Sequence, residues 1–460
     1  MTTSIVTTES VSLTRTKAPA LPIAPVVYEA QYQDQLNNIL RLYFNTLDNL
    51  IGQLTTMAST NGSIPVALGG TNLDAFGRLR VSQPYTLFDS QNRYQKDPQF
   101  DEALTTGGTA TFVANESSVD LAVTTSSGSK VVRQTYRVFP YQPGKGLLVL
   151  ATFVMNAKKA ELRQRVGYFN TDNGVFLQVA NTGEPQFVLR TNTSGTPSDT
   201  RSVAQSSWNG DKLDGTGASG ITLDLTKAQI LWMDFEWLGV GSVRCGFIID
   251  GQYIVCHTFN NANDIDKVYM TTAILPVRYE IENTGATASA STLTQICSSV
   301  VSEGGYDQKS SLTWARRTAV LTGVTTSFVP IVSIRLKSTS LGAVVIPSVY
   351  HAIPIGSTLD YEIVLIKNPT LTGASFTSNS TNVERDVTAT ALTGGTIVDL
   401  NYTAGSNQGS GTATGDMDYN FDNQLGASIG GTSSIFTLAA RTISGTDDII
   451  GAMSYYDLTD

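Results

Sequence analysis

Residues 230–260 read ILWMDFEWLGVGSVRCGFIIDGQYIVCHTFN, and this stretch decides the fold class. It holds three runs, Ile230–Trp237, Val243–Ile249 and Gln252–Phe259, whose apolar residues alternate or cluster as they do in buried antiparallel strands. Asp250-Gly251 joins the last two runs. Both residues tolerate the positive φ of a type I′ turn, so the pair predicts a two-residue hairpin. The register follows from that turn: Ile249 faces Gln252, Phe247 faces Ile254 and Cys245 faces Cys256. The meander is expected to form the centre of a β-sandwich.

Outward from this centre the composition agrees. The 460 residues include 40 glycines and only 15% charged residues, which suits many short strands joined by tight turns. Strands are expected at Ala110–Ala114, Val119–Thr124, Val131–Val138, Leu147–Asn156, Arg163–Phe169, Gly174–Val179 and Gln186–Thr191, with turn residues between them. Arg165–Leu189, with the tight turn Asp172-Asn173-Gly174, resembles the lectin-like jelly roll of glycan-binding modules, an analogy of fold that names no ligand. A further set of strands is expected between Trp314 and Tyr402 and again near Ile435–Ala440 and Ile449–Met453. Residues 311–460 either complete the first sandwich or build a second β domain.

The N-terminal part differs. Residues 1–27 form an extended arm, because Pro19, Pro22 and Pro25 exclude a helix. Residues 28–60 carry the long helical pattern of the sequence. Leu40, Leu47 and Leu54 occupy one heptad position, and Leu36, Tyr43, Leu50 and Met57 occupy the other. A repeat of 3.5 held over three heptads predicts a short coiled coil, with a homotrimer favoured over a helix laid on its own sandwich. Residues 61–105 read as a collar or linker, residues 106–310 as the sandwich.

Charge and residue usage exclude several function classes. Thirty Lys and Arg against 39 Asp and Glu give a formal net charge of −9, the wrong sign for neutralising phosphates, so no nucleic-acid partner is expected. No apolar run is long enough to insert in a membrane and no secretion signal is visible, so a soluble protein made in a cytoplasm is expected. Cys245, Cys256 and Cys297 are too few for a disulfide framework and read as small apolar residues. With two histidines, His257 and His351, neither a zinc site nor a catalytic triad is expected, and no cofactor is implied.

Three constellations remain. Asp234 and Glu236 project from one face of their strand and could serve a polysaccharide depolymerase as paired carboxylates. They lack a third acidic position along the strand, so the expectation is an outward polar face and no catalytic residue. Asp416, Asp418, Asn420 and Asp422 imitate the opening of a calcium loop, but Phe421 and Ala427 stand where glycine and glutamate are required, so no metal site is assigned. Trp208 and Tyr253 lie beside glycine-rich loops, with Asn209, Asp211 and Asp214 near Trp208. Rings and carboxamides of this kind suit a glycan or subunit contact; equally they pin a long loop onto the sandwich.

Several separated motifs resemble one family. Asp74-Ala-Phe-Gly-Arg-Leu-Arg-Val-Ser82 with Leu87-Phe88-Asp89 is similar to a segment near the N-terminus of virion structural proteins of tailed bacteriophages. Trp208-Asn-Gly-Asp, Leu213-Asp-Gly-Thr-Gly, Ser219-Gly-Ile-Thr-Leu-Asp, Pro276-Val-Arg-Tyr-Glu-Ile281 and Ser302-Glu-Gly-Gly-Tyr306 look like the same family. The resemblance spans residues 70–310. It implies a non-enzymatic fibre or surface-decoration protein of a virion assembled in the host cytoplasm, with other virion proteins as partners. Host-glycan adhesion is the alternative function.

Overall fold

The computed structural model describes residues 27, 29–61, 83–307, 310, 312–356, 358–404, 413–416 and 421–459; the side chains of residues 50–61, 413 and 416 lie outside that description. The expected arm and the Asp74–Ser82 motif fall outside the described residues. The chain divides into two compact units, residues 1–69 and 70–460.

In the first unit a helix runs from Ala30 to Asn61. Leu36, Leu40, Tyr43 and Leu47 of the expected seam are half-buried, while Leu42 and Phe44 are 57% and 58% exposed. Leu50, Leu54 and Met57 lie on the helix, with side chains outside the description. No helix among the described residues is long and apolar enough to cross a membrane.

The second unit is built from antiparallel sheets, as the alternation of apolar residues requires. One sheet of the first sandwich runs in the order Gln252–Phe259, Val243–Ile249, Gln229–Phe235, Leu147–Val154, Ser291–Ser302, Ser118–Val123 and Thr109–Val113, with Tyr85–Gln91 also paired to Ser291–Ser302. The facing sheet runs Ser198–Ala204, Gln186–Thr191, Gly174–Ala180, Leu162–Phe169, Val277–Asn283, Lys130–Thr135 and Phe100–Thr105. Leu231, Met233 and Phe235 point into the core between them, among Phe153, Tyr168, Phe187 and Tyr279.

The Asp250-Gly251 turn forms as expected, with φ of 51° and 75°. Ile249 pairs with Gln252 and Phe247 with Ile254, but a bulge between Cys245 and Gly246 then sets Cys245 opposite His257, not Cys256. The reason lies in Trp232, whose indole Nε1 reaches over Gly246 to donate to the Ile254 carbonyl at 3.3 Å. A Cβ at residue 246 would stand 1.8 Å from that carbonyl oxygen and 2.9 Å from the indole nitrogen. Cys245 and Cys256 are free, buried thiols, and burial raises both pKa values, that of Cys256 to about 12.

One expectation needs correction and one open alternative is decided. The expected collar is not a separate element throughout, because Tyr85–Gln91 and Phe100–Thr105 are strands of the first sandwich. Their alternation is interrupted by the polar segment 92–99, which hides them from a periodicity reading. The second set of strands builds its own sandwich. A five-stranded sheet, with Leu312–Arg316, Asp447–Asp457, Val345–Pro354 and Ala413–Asp416 in order, faces a six-stranded one centred on Val329–Leu336, Ile435–Thr442 and Tyr361–Lys367. Ile331, Leu336, Tyr361, Leu438 and Tyr455 fill the core between them.

One polar group ties the first sandwich together from within. Arg133, 1% exposed, lies over the Phe100 ring and forms an ion pair with Glu102. Its Nε donates to Gln295 Oε1 at 2.9 Å, and its Nη2 reaches Asn92 Oδ1 at 3.4 Å and the Asp97 carbonyl at 3.3 Å. Arg133 and Glu102 belong to one sheet, Gln295 to the other. Burial pulls the Arg133 pKa down, and the neighbouring Glu102 carboxylate works against that shift.

Candidate functional site

The Trp208 loop is a closure of the first sandwich. Trp208 is 2% exposed; its ring packs 4.7 Å from Phe187, and its Nε1 donates to the Val203 carbonyl at 3.1 Å. The following residues lie along the outer strand, with Gly210 and Asp211 N–H groups donating to the carbonyls of Cys256 and Val255 at 2.9 Å each. A Cβ on residue 210 would meet the Val255 carbonyl at 2.3 Å, so glycine is required there. Asn209 spends both side-chain atoms on Thr258, accepting from its N–H at 2.8 Å and donating to its carbonyl at 2.9 Å.

Asp211 and Asp214 hold turns. Asp211 accepts from the Leu213 and Ser219 amides at 2.9 and 2.7 Å; partial burial opposes its charge, but these donors together hold its pKa below the usual carboxylate range. Asp214 accepts from the hydroxyl and amide of Thr216 at 2.6 and 2.9 Å, which lowers its pKa as well. Tyr253 is half-buried and meets Trp232 edge-on at 5.5 Å. Trp208, Asn209, Asp211 and Asp214 thus all make contacts that pin the loop, and Trp208 has no face open to a ligand.

Asp234 and Glu236 do share a face, but they are 0% and 5% exposed, and Asp234 forms an ion pair with Arg244. They are buried groups of a structural sheet, not the outward polar face expected. His257 is packed, as expected. Its ring meets Phe259 edge-on at 4.5 Å and its Nδ1 accepts from the Asn209 amide at 3.4 Å. Burial, then the nearby Arg201, pushes its pKa down to about 4. Asp418 and Asn420 of the acidic ladder lie outside the described residues. Asp422 pairs with Arg137 at 2.9 Å, and no cluster able to hold a metal occurs among the described residues.

The exposed aromatic feature that the structure assembles lies elsewhere, on the outer face of the five-stranded sheet. Trp314 is 39% exposed and stacks on His351, with ring centroids 5.4 Å apart and planes at 20°. These residues sit on strands either side of Asp447–Asp457. Their rings meet across that central strand because its outward side chains there are small, Ala452 and Ser454. Arg316, Ala452 and His351 stand in one row across three strands, so a small side chain lies between a guanidinium and an aromatic stack.

A trough of about 510 Å³ adjoins the stack through His351; Arg316 and Ala452 line it and it continues over Ile353, Ile450 and Thr318, while Trp314 is not among its lining residues. His351 Nδ1 shares a hydrogen bond with Thr414 Oγ1 at 3.1 Å, which orients the ring. The Arg316 guanidinium forms no ion pair among the described residues and faces solvent. An aromatic platform, an apolar floor and a free guanidinium fork together offer a stacking surface and directed donors. Sequence reading placed Trp314 at the start of a strand and His351 among the histidines. The i, i+2 spacing of Trp314 and Arg316 was the available sign that they share a face.

No protein-family model matches the chain, and no curated sequence matches it. Solved structures of β-rich proteins do. The carbohydrate recognition domain of Emp47p is similar over 48% of this chain and 96% of its own, at 12% identity and a TM-score of 0.30. The cellulose-induced protein Cip1 covers 46% of this chain and 96% of its own, at 11% identity and 0.30. Arcelin-5, a lectin-like defence protein from Phaseolus vulgaris, covers 48% and 99%, at 10% identity and 0.30. These similarities concern the mainly β, jelly-roll-like fold alone.

Proposed function

We propose that this chain is a non-enzymatic glycan-binding protein and that the Trp314–His351 face, with the trough that adjoins it (together, the Trp314 trough), is its binding face. The observation that carries the reading is the half-exposed Trp314–His351 stack beside Arg316, with Ala452 as a floor between them. A pyranose presents a flat C–H face that packs on an aromatic ring, while its hydroxyls accept from a guanidinium. The low side chain of Ala452 leaves room for the sugar ring to lie flat.

Glycan-array binding followed by titration with the best ligand tests this. Trp314→Ala is expected to weaken binding at least about tenfold, the loss of one stacking contact of roughly 1.4 kcal/mol. It should leave the far-UV dichroism unchanged, because the indole is a surface group. A flat array, or a Trp314→Ala variant that binds as well as the parent, would remove the reading.

We further propose that the module is displayed on a tailed-phage particle as a trimeric fibre or decoration protein, with the arm and helix providing attachment. The motif resemblance at Asp74–Ser82 and Trp208–Asp214 and the long helix, with Leu42 and Phe44 exposed, support this placement. Three copies would convert weak single-site contacts into durable attachment through avidity. Light scattering is expected to give a trimer for the full chain and a monomer once residues 1–60 are removed. A monomeric full-length protein would exclude the coiled coil, and a trimer that survives truncation would move the interface to the β unit.

A further inference from the structure

A second concavity, independent of the Trp314 trough, lies between the two sandwiches. It encloses about 620 Å³, and Gln99, Arg137, Lys367, Asn368, Asp422 and Gln424 are among its lining residues. Its charge is unusual for an acidic chain, because two cations share one carboxylate. Arg137 is 4% exposed and lies over the rings of Phe88 and Phe139, 5.5 and 5.9 Å from their centroids. It hydrogen-bonds only through Nη2, to Gln99 Oε1 and to Asp422 Oδ1, while its Nε and Nη1 are buried without an acceptor.

Lys367 adds a second positive charge. Its Nζ sits 5.5 Å over the Phe436 ring and donates to the Asp422 backbone carbonyl at 3.4 Å, and it forms no ion pair among the described residues. Burial, together with the Arg137 charge, lowers its pKa. Gln424 donates through Nε2 to the Val138 carbonyl at 3.0 Å, leaving its Oε1 buried without a donor. The Asp422 side chain, by contrast, is 64% exposed. A solvent-exposed carboxylate therefore meets the guanidinium, with Asp97 and Asp89 further off, while the Lys367 ammonium forms no ion pair among the described residues. Partly desolvated cations favour an anion brought in from outside.

We propose that this cleft binds a carboxylate group, on a sugar acid or on a small free acid, between Arg137 and Lys367, and that Asp422 is the internal carboxylate it displaces. A carboxylate presents two coplanar oxygens to a guanidinium edge and carries a negative charge that Arg137 and Lys367 can share. Gln424 and Asn368 would take up neighbouring hydroxyls, which favours the sugar acid over the free one.

Calorimetric titration of the full chain with sodium glucuronate, glucose and sodium acetate tests the assignment. It is best run in the Trp314→Ala background, so that heat from the trough does not enter. Glucuronate is expected to bind and glucose not to. Asp422→Asn should tighten glucuronate about tenfold by removing the competing carboxylate, and Lys367→Gln should weaken it by about the same factor. Acetate binding as tightly as glucuronate would assign the cleft to free acids. Absence of heat from both acids in the parent and in Asp422→Asn, or an affinity indifferent to Asp422→Asn, would overturn the proposal. Neither of those outcomes bears on the trough.

Discussion

Trp208→Ala is expected to lower the stability of the β unit by about 3–5 kcal/mol, the usual range for emptying a buried indole site. Three effects act together. The packing of the ring against Phe187, which in turn meets Phe247, is lost and a cavity remains. The Val203 carbonyl, which accepts from the indole N–H, loses its donor. The loop through Asp214 also loses its anchor on the outer strand. Urea denaturation followed by far-UV dichroism measures the effect; a midpoint unchanged in Trp208→Ala would show that the loop is not held by this residue. Trp208→Phe should recover part of the loss, since it restores the ring but not the donor. Glycan binding at the Trp314 trough is expected to persist in any folded Trp208 variant.

Arg133→Ala should destabilise on the same scale, about 3–5 kcal/mol, because it removes the cation from a buried ionic network. Gln295, Asn92 and Glu102 all direct oxygen atoms at the guanidinium, and they come from strands or loops of both sheets. Without Arg133 each acceptor loses its charged donor. Lys96 still pairs with Glu102 at 2.6 Å, Asn92 Nδ2 still donates to Gln295 Oε1 at 3.2 Å and the Asp97 N–H to Asn92 Oδ1 at 3.1 Å, so the loss is that of the buried cation that joins the two sheets. Arg133→Lys keeps the charge but not the planar fork, and should cost less than the alanine change. Denaturation midpoints measured for both variants check the order; Arg133→Lys at least as destabilising as Arg133→Ala would mean that a positive charge without the planar fork contributes nothing here.

Much of the fold was legible because β-structure writes a period of two into the sequence. The runs around Asp250-Gly251 and the strands from Leu147 to Thr191 were placed to within a residue or two, since each has one face in a core. The turn chemistry of Asp250-Gly251 also set the first two pairs of the hairpin. It did not set the third, because the bulge at Gly246 depends on Trp232, which lies on a neighbouring strand and crosses over it. Tyr85–Gln91 and Phe100–Thr105 read as a collar in the sequence because their partners lie outside any local hairpin. Ser291–Ser302 pairs with Tyr85–Gln91, and Lys130–Thr135 with Phe100–Thr105.

The candidate sites divide in the same way. Trp208 and the acidic residues near it attract attention in sequence because aromatic and Asn/Asp residues cluster there, yet the same residue types also cap turns and anchor loops. Only their hydrogen-bond partners, Val203, Thr258, Leu213, Ser219 and Thr216, separate the two roles. Trp314 and His351 carry no such local cluster. They meet because two strands flank a third whose outward residues are small.

By itself, then, the sequence determined that the chain is mainly β, with one N-terminal helix, where most strands lie and which of their side chains face a core. Local sterics and the alternation of burial act over a few residues, and those are properties a sequence displays. The tertiary structure alone decided which strands are neighbours, that residues 312–459 close around a core of their own, and that the open aromatic surface belongs to Trp314 and not to Trp208. Sheet order is set by contacts between segments tens to hundreds of residues apart. Whether a ring ends buried or half-exposed depends on what those distant segments bring over it.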